Sequence, residues 1–454
     1  MIPAALAGEP KMTVNELKKY RLKKKILRLL YEEGSCSGPE LGKQLGISLP
    51  TALILVNDLI GEKLVVPRGA GVSTGGRKPS MYGLSGDSLY VIACDMGRYS
   101  AKMALFNVHN QRVSALRSVD THIDDPELVE KLYRAAEALV AETGIPAEKI
   151  AGVGVDMPGL VDAHQGINFT IKDQARQPVR DLLGRRFQKL VYVDNDARMQ
   201  AFGEYTFGKA RGCRNALIVN WSWGLGLGMI LNGRLYGGTT GFAGELSHIR
   251  MADDGELCIC GKRGCLETLA SSNAILRLAR KGIAEGRISQ LTRQFAGRPG
   301  ELTVEQVIAA ARLGDEFSIS VLSETGLAFG KGLSYLIQLL NPEVIVLGGP
   351  VSKANQFVLT PIQQALNRYC LEHILGNTTV VTSDMDEDSG LLGTASMLYQ
   401  FLFCDFQTAA PQGLPEGMSL PPPSETPYNL PGAPLAVPEE HKEAISYMNT
   451  DIQL

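Results

Sequence analysis

Apolar residues recur at helical spacing between Thr13 and Glu33, where Leu17, Ile26, Leu29 and Leu30 can share one face. Lys18, Lys19, Arg21, Lys23, Lys24 and Lys25 then fall on the opposite, solvated side. A second, shorter helix is predicted from Ser37-Gly38-Pro39-Glu40. Ser37 suits its cap, Pro39 its first turn, Leu41 and Leu45 its apolar side, and Gly46 its end. Ser48 caps a third helix running to about Glu62, with Pro50 in its first turn. Helix, short helix, the tight turn Gly46-Ile47-Ser48 and helix, in that order, make a helix-turn-helix plan. Leu64-Val65-Val66, a connection from Gly69 to Gly76, and Met81-Tyr82-Gly83-Leu84 add a two-stranded wing.

From Leu89 the pattern changes to alternating strands and helices. Tyr90 to Asp95 and Ser100 to Phe106 read as paired strands, and Pro126 to Ala141 as an amphipathic helix. Ile150 to Val155 and Leu190 to Asp194 are buried-strand runs, the first leading to Met157-Pro158-Gly159 and the second closing at Asn195-Asp196. Ala216 to Trp221 and Met229 to Leu231 form a glycine-joined hairpin, Ser318 to Leu340 a long helix, and Val344 to Leu347 a strand entering a glycine turn. Ligand-type residues at strand ends fit an α/β fold with its cleft at the strand C-termini. Gln407 to Glu439 is Pro-rich and lacks the large apolar residues of a core, and His441 to Met448 suits a short terminal helix. The expected division is residues 1–84 as a winged helix-turn-helix domain, 85–405 as a two-lobed domain and 406–454 as a mobile tail.

Charge sharpens the picture of the head. Residues 1–84 carry 13 Lys and Arg against 7 Asp and Glu, while the remainder carries 32 against 41. A basic head on an acidic body suits a polyanionic partner for the head alone, with a protein-docking module as the plainer alternative. Ser48, Thr51 and Asn57 are the obvious candidates for base edges on the third helix, and Arg68, Arg77 and Lys78 for phosphate or minor-groove contact from the wing. With so few base-reading side chains, much of the specificity is expected from the wing and from DNA deformability.

Three of eight cysteines crowd into Cys258-Ile259-Cys260-Gly261-Lys262-Arg263-Gly264-Cys265, with His248 just ahead. The N-terminus does not read as a secretory signal, and no apolar run approaches the roughly 18 residues of a membrane span, so a cytoplasmic location with no membrane partner is expected. In that reducing compartment a clustered Cys/His set points to a metal rather than a disulfide. His248, Cys258, Cys260 and Cys265 supply a complete tetrahedral shell for one structural Zn2+ per chain, with no open position. Glu245 and Glu267 bracket the cluster and outline a polar ligand site.

The chain from about Tyr90 to Phe403 resembles the ROK family of bacterial sugar kinases and sugar-responsive transcription factors. The signature C-x-C-G-x-x-G-C-x-E is complete at Cys258 to Glu267. Gly244-Glu245-Leu246-Ser247-His248 is similar to the family's G-E-x-G-H, with Ser247 for the second glycine. Asn195-Asp196-Ala197 matches its N-D-A element, and Asn341-Pro342 through Gly348-Gly349 its adenosine-side strand and turn. A winged head followed by Gly75-Gly76-Arg77-Lys78-Pro79 resembles the regulator branch. The resemblance implies a two-lobed α/β domain of the actin-like ATPase (ribonuclease H-like) type. It also implies sugar contacts from Asn195, Asp196, Glu245, His248 and Glu267, with Asp196 at the position of the kinases' general base.

Two departures concern the phosphate loops. Where family kinases carry D-x-G-G-T-K, this chain has Asp95-Met96-Gly97-Arg98-Tyr99-Ser100. Where they carry G-T-G-x-G-x-G, it has Ser222-Trp223-Gly224-Leu225-Gly226-Leu227-Gly228. Bulky side chains stand where backbone N–H groups must approach phosphates. The resemblance with these departures implies no ATP and no kinase activity, and a homodimeric or homotetrameric repressor of operator DNA with a sugar as effector. An ATP-dependent sugar kinase with a fused DNA-binding head is the alternative.

Overall fold

The computed structural model describes residues 13–71, 78–171, 178–385 and 388–403. Arg77, the connection around it and the C-terminal segment expected as a tail lie outside these residues. The head begins with α1 (Val14–Glu33), opened by a capping box in which the Glu16 carboxylate accepts from the Thr13 N–H at 2.8 Å. After β1 (Cys36–Ser37), Ser37 caps α2 (Gly38–Leu45), and Gly46 ends it in the left-handed conformation at φ 64°. Ser48 caps α3 (Leu49–Gly61), and β2 (Val65–Ala70) pairs antiparallel with β3 (Ser80–Leu84). β1 pairs with β3 as well, so the wing belongs to a three-stranded sheet rather than the expected two strands. One expectation fails in α1: Lys23 is not on the solvated side but only 9% exposed. Its ammonium pairs with Glu62 at 2.6 Å and Asp58 at 3.3 Å, and these carboxylates compensate the lost hydration.

The body contains two sheets built on one plan. In the first lobe, β4 (Tyr90–Met96), β5 (Ser100–Asn107) and β6 (Arg117–Asp120) are antiparallel; α4 (Leu128–Thr143) leads to β7 (Ile150–Met157). A short flap of β8 (Val161–Asp162) and β9 (Ile167–Asn168) and then α5 (Val179–Phe187) precede β10 (Leu190–Asn195). The order is β10-β7-β4-β5-β6, with β10, β7 and β4 parallel. After α6 (Asp196–Phe207) the second lobe repeats the plan with β11 (Ala216–Trp221), β12 (Leu225–Leu231) and β13 (Arg234–Tyr236). Helices α7 (Glu267–Ala270), α8 (Ser272–Ala284), α9 (Gln290–Phe295), α10 (Val304–Arg312) and α11 (Glu316–Leu340) follow. The remainder is β14 (Val344–Gly348), α12 (Gln356–Tyr369), α13 (Glu372–Leu375), β15 (Thr379–Thr382) and α14 (Asp388–Phe403). The second order, β13-β12-β11-β14-β15, has the same succession of strand directions when read from β15. Among the described residues no single helix is long and apolar enough to cross a membrane.

The lobes exchange helices. α6 leaves the first sheet and packs on β11 and β12 of the second, whereas α14 leaves the second sheet and packs on β4 and β7 of the first. The two helices meet between the lobes, where a Cβ at Gly203 would collide with the Ser389 carbonyl and one at Gly393 with the Met199 carbonyl. α14 also receives the head. The Tyr31 hydroxyl on α1 is hydrogen-bonded to Ser396 Oγ (2.9 Å) and to Asn110 Oδ1 (2.9 Å). Its ring lies 5.6 Å from that of Tyr399 and 5.7 Å from that of Phe403. One apolar cluster therefore runs from Ile26, Leu27 and Leu30 of the head into Tyr399 and Phe403 of the body.

Candidate metal centre and ligand cleft

The Cys/His segment folds on itself through left-handed glycines, Gly261 at φ 83° and Gly264 at φ 75°. At Gly264 a side chain would also collide with the Ala252 carbonyl, so both backbone angle and space demand glycine there. The turn brings one ligand atom from each of His248, Cys258, Cys260 and Cys265 within 4.8 Å of one another. Cys260 Sγ lies 3.7 Å from Cys265 Sγ, and Cys258 Sγ lies 3.5 Å from His248 Nδ1. A tetrahedron with Zn–S bonds of ~2.3 Å has S···S edges of roughly 3.8 Å, so the spacing and the soft donor set fit zinc. Bound there, a metal would tie the His248 loop to the start of α7.

His248 has two faces. With Nδ1 turned to the thiols, its Nε2 lies 3.7 Å from Glu245 Oε2. Glu267, the first residue of α7, has Oε1 3.8 Å from Cys258 Sγ and packs against Gly224 of the β11–β12 turn. Burial pushes the Glu245 carboxyl up from its ordinary pKa. Across the cleft Asp196 opens α6, with its pKa raised to about 6, chiefly by burial, opposed by backbone N–H donation and assisted by the charges of Asp95 and Glu245. Asn195 is more committed than expected. Its Nδ2 donates to the Gly159 carbonyl at 3.0 Å, and its Oδ1 caps α6 by accepting from the Arg198 N–H at 3.1 Å. Each amide atom keeps one remaining hydrogen-bond valence for a ligand.

Asp156 was not anticipated. It is fully buried at the end of β7, in register with Asp95 on β4 and Asp194 on β10. Its Oδ2 accepts from Thr394 Oγ1 of α14 at 2.6 Å, and burial beside Asp95 drives its pKa well above the carboxylate range. The available signal was an aspartate recurring at the C-terminal ends of three core strands.

On the phosphate side the two altered loops touch. The Arg98 guanidinium lies 3.5 Å from the centroid of the Trp223 ring, a cation–π stack between the β4–β5 and β11–β12 turns. Arg98 Nε donates to the Tyr99 hydroxyl at 3.1 Å. Tyr99 itself is 68% exposed and Arg98 is exposed as well, so what joins the two loops is the guanidinium lying on the half-buried Trp223 ring.

In the head, Ser48 and Thr51 carry hydroxyls 2.8 Å apart at the start of α3, and Asn57 is exposed further along. Lys78 is exposed just ahead of β3, at the end of the wing where Ala70 pairs with Ser80. Arg68 departs from the expected phosphate-facing position, turning back so that Nη2 donates to the Leu84 carbonyl at 2.8 Å and lies 3.1 Å from His109 Nε2. Both partners stand where wing meets body, and they hold the guanidinium away from the wing's tip.

A winged helix joined to two sheets of one plan, with a carboxylate-lined cleft between them, defines an actin-like ATPase-type body under a DNA-binding head. The chain belongs to the ROK family, whose model matches residues 91–400, and the model for winged helix-turn-helix DNA-binding domains matches residues 21–66. It is 26% identical over 380 residues to the xylose repressor of Caldicellulosiruptor bescii, covering 82% of this chain and 94% of that protein. It is 32% identical over 272 residues to the glucokinase of Thermotoga maritima, covering 59% of this chain and 84% of that one. A solved ROK family transcriptional regulator, described as a homolog of the E. coli MLC protein, shares the fold with a TM-score of 0.72 and 24% identity over 85% of this chain and 97% of that structure.

Proposed function

We propose that this chain is a sugar-responsive transcriptional repressor whose effector is bound and not phosphorylated. In this reading residues 1–84 hold operator DNA, and residues 85–405 form the sensor. Two copies of the sensor would present two heads to a palindromic site in the cytoplasm. Asn195, Asp196, Glu245, His248 and Glu267 receive the sugar hydroxyls, with carboxylates accepting and the asparagine amide available to donate. Structural zinc on His248, Cys258, Cys260 and Cys265 keeps Glu245 and Glu267 in place. The observation that carries the reading is the Arg98–Trp223 stack, which bridges the two phosphate loops where a phosphate chain would have to pass. The repressor relative also aligns over more of the chain than the glucokinase relative does.

One observation favours the alternative of a sugar kinase: Asp196 keeps the general-base position with a pKa of about 6, near the optimum for catalysis at neutral pH. Incubating the protein with ATP, magnesium and a panel of aldoses separates the two. The sensor reading expects thermal stabilisation by one sugar, altered DNA affinity and no sugar phosphate. Turnover to sugar phosphate refutes it.

A further inference from the structure

The outward face of α3 is apolar at its centre, where a DNA-reading helix usually presents a cation. Ile54 is 59% exposed at its centre, with exposed Thr51 and Asn57 one turn to either side. The sequence of α3 holds no Lys or Arg, and its single charged residue, Asp58, faces α1, pairing with Lys19 at 2.6 Å and Lys23 at 3.3 Å. Positive charge sits beside this face instead of on it. A groove of about 280 Å³ separates α1 from α3, with Lys18 and Lys19 on one wall and Thr51 and Ile54 on the other.

DNA in the major groove offers a limited set of partners to such a surface. Guanine presents two acceptors, best met by Arg or Lys, and α3 has neither. Thymine alone presents a methyl group there, and adenine presents the donor–acceptor pair that an asparagine matches. Thr51, Ile54 and Asn57 follow at successive turns over ~9 Å, roughly three base steps. We propose that α3 reads thymine methyl groups through Ile54, with Asn57 placed for an adenine edge. The half-site it recognises is therefore dominated by A·T pairs, read by apolar contact. Lys18 at the groove's rim, on a head carrying 13 basic against 7 acidic residues, supplies the attraction to phosphate that the apolar face lacks. This inference rests on the DNA-binding reading above.

The test uses the full chain and a random duplex pool. The tightest selected site is remade with each thymine replaced singly by deoxyuridine, which removes only the 5-methyl group. Affinity is measured at fixed salt for the native protein and for Ile54→Ala, an exposed substitution whose folding is checked by its melting curve. Thymine-rich half-sites are expected, with one or two uracil replacements weakening the native protein about fourfold each, the loss of one buried methyl contact. The same replacements should leave Ile54→Ala unchanged. Uracil-insensitive binding, or undiminished methyl sensitivity in Ile54→Ala, overturns the inference and leaves DNA binding standing. Full affinity in Ile54→Ala also overturns it and would assign the apolar face to a protein partner. If the native protein enriches no duplex and shows no salt-dependent DNA binding, the inference falls together with the reading beneath it.

Discussion

Replacing Tyr31 by Phe should loosen the C-terminal half of α1 from the body while the body stays folded. The hydroxyl makes two hydrogen bonds of 2.9 Å, to Asn110 Oδ1 and to Ser396 Oγ, and Ser396 is buried. A net 0.5–1.5 kcal/mol for each bond puts the cost at about 1–3 kcal/mol, while the ring contacts with Tyr399 and Phe403 persist. The undocked population should rise roughly five- to 150-fold. Hydrogen exchange reads this directly: amides of α1 from Leu27 to Tyr31 should lose protection by that factor, while those of β7 (Ile150–Met157) keep theirs. The same variant should bind DNA with a blunted response to the sugar, because the head no longer reports the position of α14. Unchanged protection in α1, or an equal loss in α1 and β7, would refute the docking argument.

The other predictions concern the cleft and the metal. Cys265→Ser should lower zinc from about one per chain toward none in elemental analysis and leave the segment from Glu245 to Glu267 open to proteolysis, with α1 to α3 still folded. Asp196, raised to about 6, holds a proton in the folded state over a window where an ordinary aspartate has lost it, so its contribution to stability is present at low pH and fades as pH rises through about 6. Sugar affinity should run the opposite way, falling roughly tenfold by calorimetry between about pH 7 and 5 as the accepting carboxylate is protonated; a flat profile would remove Asp196 from the contact. Gly393→Ala places a methyl against the Met199 carbonyl and must part α6 from α14, so it should cost sugar affinity well beyond the ~1 kcal/mol of an ordinary substitution, read by thermal shift with and without sugar.

Most of the head was legible because its signals are local. Ser37, Gly46 and Ser48 mark helix ends through bonds that span only a few residues, and all three do so in the structure. The Cys/His group was legible for the same reason, since two glycine turns suffice to close it. What escaped depends on partners distant in sequence. Lys23 reads as a surface cation until α3 brings Asp58 and Glu62 beside it. Arg68 reads as a wing-tip phosphate contact until the body supplies His109. Arg98 and Trp223 each look like an obstruction in their own loop, but only closure of the two lobes makes them a stacked pair. Asp156 shows in sequence only as an aspartate recurring at strand ends; its pairing with Asp95 and Asp194 appears once the strands are in register.

These contacts converge on α14. Midway along it Thr394 donates to buried Asp156, behind the cleft where Asp95 and Asp196 stand. Two residues on, Ser396 meets Tyr31 of the head, and Tyr399 and Phe403 flank that ring. α6 starts at Asp196 and crosses α14 at glycines so close that neither Gly203 nor Gly393 admits a side chain. Helices packed that tightly cannot deform gradually, so a shift at the start of α6 passes to α14 as a rigid displacement. In the proposed reading, with Arg98 and Trp223 stacked between the phosphate loops, the sugar half of the cleft is the place where a ligand would drive that displacement. A bound sugar then needs to favour one helix arrangement by only about 1–3 kcal/mol to change operator affinity substantially. That is no more than the Tyr31 hydroxyl's two hydrogen bonds are worth, so this junction has the strength to transmit the signal and the weakness to be switched by it.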